Sequence, residues 1–249
     1  MNPSSFPWND LFNRRQFLTH TLATAGSMAL LSLPLAGTAA HQGQDQTVQD
    51  IINLILAEGK LQPIKDTVDT IKAGQANQTV TGIVTTMFAT VAVIEEAARL
   101  KANFIIAHEP TFYNHKDDPQ WVKDNRVVQQ KQELLAKHGI VVWRFHDYCH
   151  SLKPDVISYG VAKKANWLPY FKMGELMLTI PTLALQSLAQ HLKTSLHIAH
   201  VRVIGNLQQS CARIALMPGA WGGQRQVTVV ETEKPDVLIV GELSEWETA

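Results

Sequence analysis

Apolar positions after residue 46 recur at two different periods, and the alternation between them sets the expected architecture. Val48, Ile51, Ile52 and Ile55 repeat at helical spacing, with Gly59 as a stop. The stretch 80–86 alternates as a strand does. Thr90 caps a helix whose apolar face is Val91, Ile94 and Ala98. The short apolar run 103–107 has the pattern of a strand buried on both faces. A helix follows over 125–138, closed by Gly139, and then a strand over 140–143. Further strands are expected over 175–180, 201–204, 213–217 and 237–240. Leu185, Leu188, Ala189 and Leu192 form a helical stripe between the first two. Strands alternating with helices give an α/β class: an open, mostly parallel or mixed sheet covered by helices.

The first forty residues do not fit that pattern. Arg14 and Arg15 are followed by Gln16, Phe17 and Leu18, then by an uncharged stretch over 21–40 rich in Ala, Leu, Gly and Thr. Paired arginines, an aromatic, Leu and a mild apolar run ending in small residues resemble a twin-arginine export signal. Gly37, Thr38, Ala39 and Ala40 suit a signal peptidase. Pro34, Gly26, Ser27 and Ser32 make the run too polar and too short for a stable span, so no membrane anchor is expected after cleavage. The organisation expected is a signal over 1–40 and a single α/β domain over 41–249, with a periplasmic or secreted mature protein. That route exports folded proteins, often already loaded with metal or cofactor.

Charge narrows the partners. The 249 residues carry 22 basic and 22 acidic groups, and the part after residue 40 keeps 20 and 21. So even a balance leaves no broad electrostatic footprint for nucleic acid or an anionic membrane. Two cysteines, Cys149 and Cys211, exclude a disulfide scaffold while leaving a single bridge open.

Ligand-capable side chains collect where strands are expected to end, which in an open α/β sheet is the ligand-binding crevice. The strand over 103–107 runs into His108, Glu109, Pro110, Thr111, Phe112, Tyr113, Asn114 and His115. The strand over 140–143 leads to His146, Asp147, Tyr148, Cys149 and His150. The strand over 237–240 leads to Gly241, Glu242 and Glu245. Imidazole with carboxylate suits zinc, manganese, iron or similar divalent ions. His146 and His150 are four apart and reach one centre if their loop makes a helical turn. Asp147 is either a ligand or the group that orients a histidine. Taken singly, a histidine after a strand is more often a hydrogen-bonded surface or core group than a ligand. Cys149 beside His150 leaves a thiol nucleophile as an alternative. The glycines 219, 222 and 223 lack a P-loop's Lys-Ser/Thr ending, but their backbone suits an anion.

The run from Val80 through Met87, a helix containing Glu95, Glu96 and Ala97, and the strand ending in His108, Glu109 and Pro110 resemble the NGG-interacting-factor-three-like proteins. These are also called GTP cyclohydrolase I type 2 homologs, and residues 236–242 are similar to their Asp-hydrophobic-Gly-Glu segment. The resemblance implies a dinuclear metal site in an α/β fold and a ring-shaped hexamer. Carried over by position, the family's His-His pair falls on His108 and Glu109, and its ligand aspartate falls on His150. The implied metal ligands are therefore His108, Glu109 and His150, with His146 or Asp147 orienting a ligand or transferring a proton. Family members continue to a last Gly-His-x-x-x-Glu-like segment, whereas this sequence ends at Thr248 and Ala249. That leaves a fragment or an incomplete site as expectations. The implied activity is metal-dependent hydrolysis of a small molecule. The alternatives are a non-catalytic metal-binding or scaffold protein and an inactive truncated product.

The signal reading yields one direct expectation. Protein recovered from outside the cytoplasm begins at Ala40 or His41 by N-terminal sequencing, and a product still starting at Met1 contradicts it.

Overall fold

A computed structural model describes residues 45–248. The proposed signal lies outside the described residues. Helix α1 (Val48–Glu58) opens with a capping box: the Thr47 hydroxyl accepts from the Asp50 amide, and Asp50 accepts from the Thr47 amide. Strands β1 (Ile71–Ala73) and β2 (Ile83–Thr86) follow, then α2 (Val91–Arg99), capped by Thr90 as its sequence requires. Strand β3 (Phe104–Ala107), α3 (Arg126–Lys137) and β4 (Val141–Arg144) complete the first half. The second half runs α4 (Asp147–Ser151), α5 (Val156–Lys164), β5 (Met177–Ala184), α6 (Leu185–Leu196), β6 (Ser210–Met217), α7 (Gly223–Glu233) and β7 (Val237–Val240).

Two sheets form where one was expected. The first has four strands in the order β1-β4-β3-β2, with β2, β3 and β4 parallel and β1 antiparallel at the edge. The second has three, β5-β6-β7, antiparallel and then parallel. Both are mixed, and both are covered on two faces. In β3, Ile105 and Ala107 pack with Val142 against α2 and α3, while Phe104 and Ile106 pack with Val141 and Trp143 against α1. The strand period of two thus divides one apolar run between two cores. The second sheet repeats the arrangement. Ile214 and Leu216 face α5 and α6, whereas Ala215 and Met217 face Val229 of α7.

Three features depart from the sequence reading. Residues 201–204 alternate like a strand but find no partner, and Ile204 is left 54% exposed. Helix α5 carries Gly160 and buries only Ser158 and Ala162, so it shows little apolar stripe. Helix α7 contains Val227, Thr228, Val229 and Val230, β-branched neighbours that weaken a helical signal. Packing against a sheet outweighs those local preferences.

Ile105, fully buried in the central strand, tests the first core. Ile105→Ala is expected to lower stability by about 2–5 kcal/mol in urea unfolding. A loss near zero would mean that β3 is not packed on both sides.

Candidate metal centre

Strands β3 and β4 are parallel and in register, with Ala107 opposite Arg144, so their carboxyl ends open on the same edge. The chain leaves β3 still pairing with β2: the amides of His108 and Glu109 donate to the carbonyls of Thr86 and Met87. The Phe145 amide donates to the Ala107 carbonyl at 2.8 Å. His108 is thereby set beside the segment that carries His146.

That segment is held by a residue far away in sequence. Asp69 is buried, and its carboxylate accepts from the amides of His146, Asp147 and Tyr148 at 2.8, 3.0 and 2.8 Å. Three amides at the start of a helical turn are groups with no partner inside the helix, and a carboxylate satisfies them. The turn closes when the His150 amide donates to the His146 carbonyl at 3.0 Å. Residues four apart then share one face, so His146 and His150 project together.

His108, His146 and His150 converge, with one ligand nitrogen from each lying within 4.8 Å of the others. Their ring centroids are 4.9, 5.2 and 4.9 Å apart. Every Nδ1 is already engaged by an oxygen. His108 Nδ1 lies 3.1 Å from the Phe145 carbonyl, His146 Nδ1 2.9 Å from Asp147, and His150 Nδ1 2.9 Å from Asp155. Carbonyls and carboxylates only accept, so each neutral ring carries its proton on Nδ1 and keeps a lone pair on Nε2. Three oriented Nε2 atoms are what a divalent ion such as zinc requires.

The surrounding charges support this role. Burial alone would raise the Asp147 carboxyl, but hydrogen bonds from His146, the Val68 amide and the Thr67 hydroxyl, with the charge of His146, hold it down at about 2. Asp147 is therefore ionised at neutral pH and strengthens His146 as a donor through its Nδ1 proton. Asp155 is likewise held below the usual carboxylate range: burial raises it, and bonds from His150 and the Ser158 amide outweigh that. Its second oxygen caps α5 through that amide at 2.8 Å, so one carboxylate starts a helix and aims a histidine. His150 is raised, first by its bond to Asp155, whereas His108 is lowered, chiefly by burial.

The sequence expectations meet this geometry unevenly. His108 and His150 come together, and the third member is His146, which the sequence reading assigned to orientation or proton transfer. Asp147, expected as a ligand or an orienting or proton-transferring group, lies 2.9 Å from His146 Nδ1. Glu109, expected as a ligand, is not in the convergent group; its carboxylate lies 3.9 Å from Arg144 Nη2. The reason is that neighbours leaving a strand project in different directions. Glu242 and Glu245 do not join the group either. Of the glycines at 219–223, Gly223 lies against Glu247, where a Cβ would stand 1.6 Å from Oε1, whereas a Cβ on Gly219 or Gly222 would meet nothing within 4 Å. Cys149 and Cys211 are free thiols, and burial, then Asp155 and Asp69, push Cys149 up to about 11, which disfavours a thiolate nucleophile. Sequence reasoning missed Asp69, Asp155 and Arg144. Asp155 had a local signal, an Asp three residues before Ser158 at a helix start. Asp69 had none.

Comparison with known proteins agrees with this architecture. The family described as Duf34/NIF3 (NGG1p interacting factor 3) matches residues 47–249. No curated protein matches the chain by sequence. Among solved structures, protein SA1388 of Staphylococcus aureus is similar at a TM-score of 0.64 and 18% identity, covering 82% of each chain. The protein ybgI, described as of unknown function, gives 0.64 and 21%, covering 82% of this chain and 81% of its own. HcgD of Methanocaldococcus jannaschii gives 0.56 and 14%, with 82% and 81% covered. These likenesses establish the fold.

The opposed shifts of two of the histidines are measurable. In metal-free protein followed by NMR, His150 is expected to protonate at higher pH than an ordinary histidine and His108 at lower pH. Acidification should therefore place a proton on His150 first and weaken metal uptake. The reverse order of titration would contradict the burial of His108 and the bond between His150 and Asp155.

Proposed function

The chain belongs to the Duf34/NIF3 family, and from that membership and the three converging imidazoles we propose that it is a divalent-metal protein acting as a hydrolase on a small molecule. The observation that carries the reading is the convergence of three imidazoles, one ligand nitrogen of each within 4.8 Å of the others, with every Nδ1 engaged by an acceptor so that Nε2 keeps the lone pair of each neutral ring. A divalent ion supplies Lewis acidity there, lowering the pKa of water and polarising a carbonyl or phosphoryl bond. His108, His146 and His150 hold the ion. Asp147 and Asp155 keep two of the rings from turning and make them better donors. His150, with a side chain 38% exposed, leaves the centre open to a small molecule on one side. His115, whose ring lies 5.6 Å from that of His146, stands at the rim as a base or acid for proton exchange with solvent.

The wider setting belongs to the same proposal. A second ion beside the first and a hexameric ring follow from the family resemblance. Export by the paired arginines would place the activity in the periplasm or outside the cell, where GTP is not an expected metabolite. The substrate class is therefore stated by bond, a phosphoester, amide or cyclic amide, and not by the family's cyclohydrolase name.

Elemental analysis of the purified full chain should find a divalent metal, and His108→Ala and His146→Ala should each lose most of it with the circular dichroism spectrum unchanged. Hydrolysis of one of those three substrate classes should disappear in the same variants. Metal without turnover across all three would favour a metal-binding or scaffold role, and a wild-type protein that takes up no ion would overturn the reading altogether.

A further inference from the structure

Arg144, at the end of β4, is the largest charged side chain buried in the described residues, with 1% exposure. Its guanidinium cannot shed its proton in a protein. Nε donates to the His108 carbonyl at 3.2 Å, and Nη1 donates to the His115 carbonyl. Nη2 finds no hydrogen-bond acceptor among the described residues. Two carbonyls fix the fork but do not neutralise it, so this buried cation requires an anion.

The nearby carboxylates are committed elsewhere, with one exception. Both oxygens of Asp117 accept backbone amides, from Thr111 and Phe112. Asp69 is occupied by the three amides that start α4. Lys72 is a second cation in range of Arg144, and Asp117, Asp69 and Asp147 lie in range of Lys72 itself. Glu109 remains, its Oε2 3.9 Å from the free Nη2 and its side chain 29% exposed.

From this we infer that Arg144 is the positioning residue of the metal centre and that Glu109 is its counter-ion, not a metal ligand. Arg144 grips the peptide carbonyls of His108 and His115, the two ends of the loop beyond β3, and so sets the direction from which the His108 ring enters the triad. Glu109 keeps the guanidinium buried by balancing its charge. This inference rests on the proposed metal site and refines its ligand set.

The test is cobalt(II) titration of the full-length protein, read by the visible d–d spectrum and by competition with a chelator. Glu109→Gln keeps the shape and is expected to leave the cobalt spectrum unchanged and the affinity within about tenfold, while lowering the melting temperature. The double variant Glu109→Gln/Arg144→Met, with both charges removed, should recover part of that melting temperature. Arg144→Met alone should weaken cobalt binding by about 10–100-fold and shift the spectrum. If it fails to fold, the comparison of Glu109→Gln with the double variant still decides the pairing. A changed cobalt spectrum or a lost equivalent of ion in Glu109→Gln overturns the inference while leaving the metal site standing. A wild-type protein that binds no cobalt refutes both.

Discussion

The parallel, in-register pairing of β3 with β4 is the constraint on which the rest of the first half depends. It places Ala107 opposite Arg144 and sends two chain segments off the same edge of one sheet. Parallel strands need a covered sheet, and α1 on one face with α2 and α3 on the other supply the cover. The two loops can then meet without either crossing the sheet. His108 arrives from one and His146 with His150 from the other, so the histidine triad that could hold a metal ion is a consequence of strand direction before it is a matter of ligand chemistry.

What turns that meeting into a site is a layer of oxygen acceptors behind the imidazoles. Phe145 offers a carbonyl, and Asp147 and Asp155 offer carboxylates, each to an Nδ1. Without such partners, an exposed imidazole rotates freely and carries its proton on either nitrogen. With them, each of the three rings turns its Nδ1 toward an acceptor and is held in one orientation. Asp69 adds the remaining control by organising the turn between His146 and His150 through backbone amides. The cost of burying that carboxylate is offset by the helix-start amides it satisfies.

Arg144 joins the two levels. As a strand residue, its amide donates to the Thr70 carbonyl and ties β4 to the edge of the sheet. As a cation, it holds the loop that delivers His108 and stands 3.9 Å from Glu109. A buried charge is expensive unless compensated, and the pairing proposed above draws that compensation from Glu109.

The sequence by itself determined the helices capped by Thr47, Thr90 and Asn125, the apolar strands at β3, β4 and β7, the mixed α/β class and the crowding of metal-capable side chains after two strands. Those are local properties, because caps and periods act over a few neighbouring residues. Tertiary structure alone decided that the strands divide into two sheets, that residues 201–204 remain unpaired, and that α5 and α7 are helices. It also decided which strand-end residues share a centre. His146 enters the triad because Asp69, 77 positions earlier, fixes its backbone, and Glu109 is turned toward a buried guanidinium 35 positions later. Contacts across such separations leave no periodic trace in the chain, so the kinds of residue were legible and their partners were not.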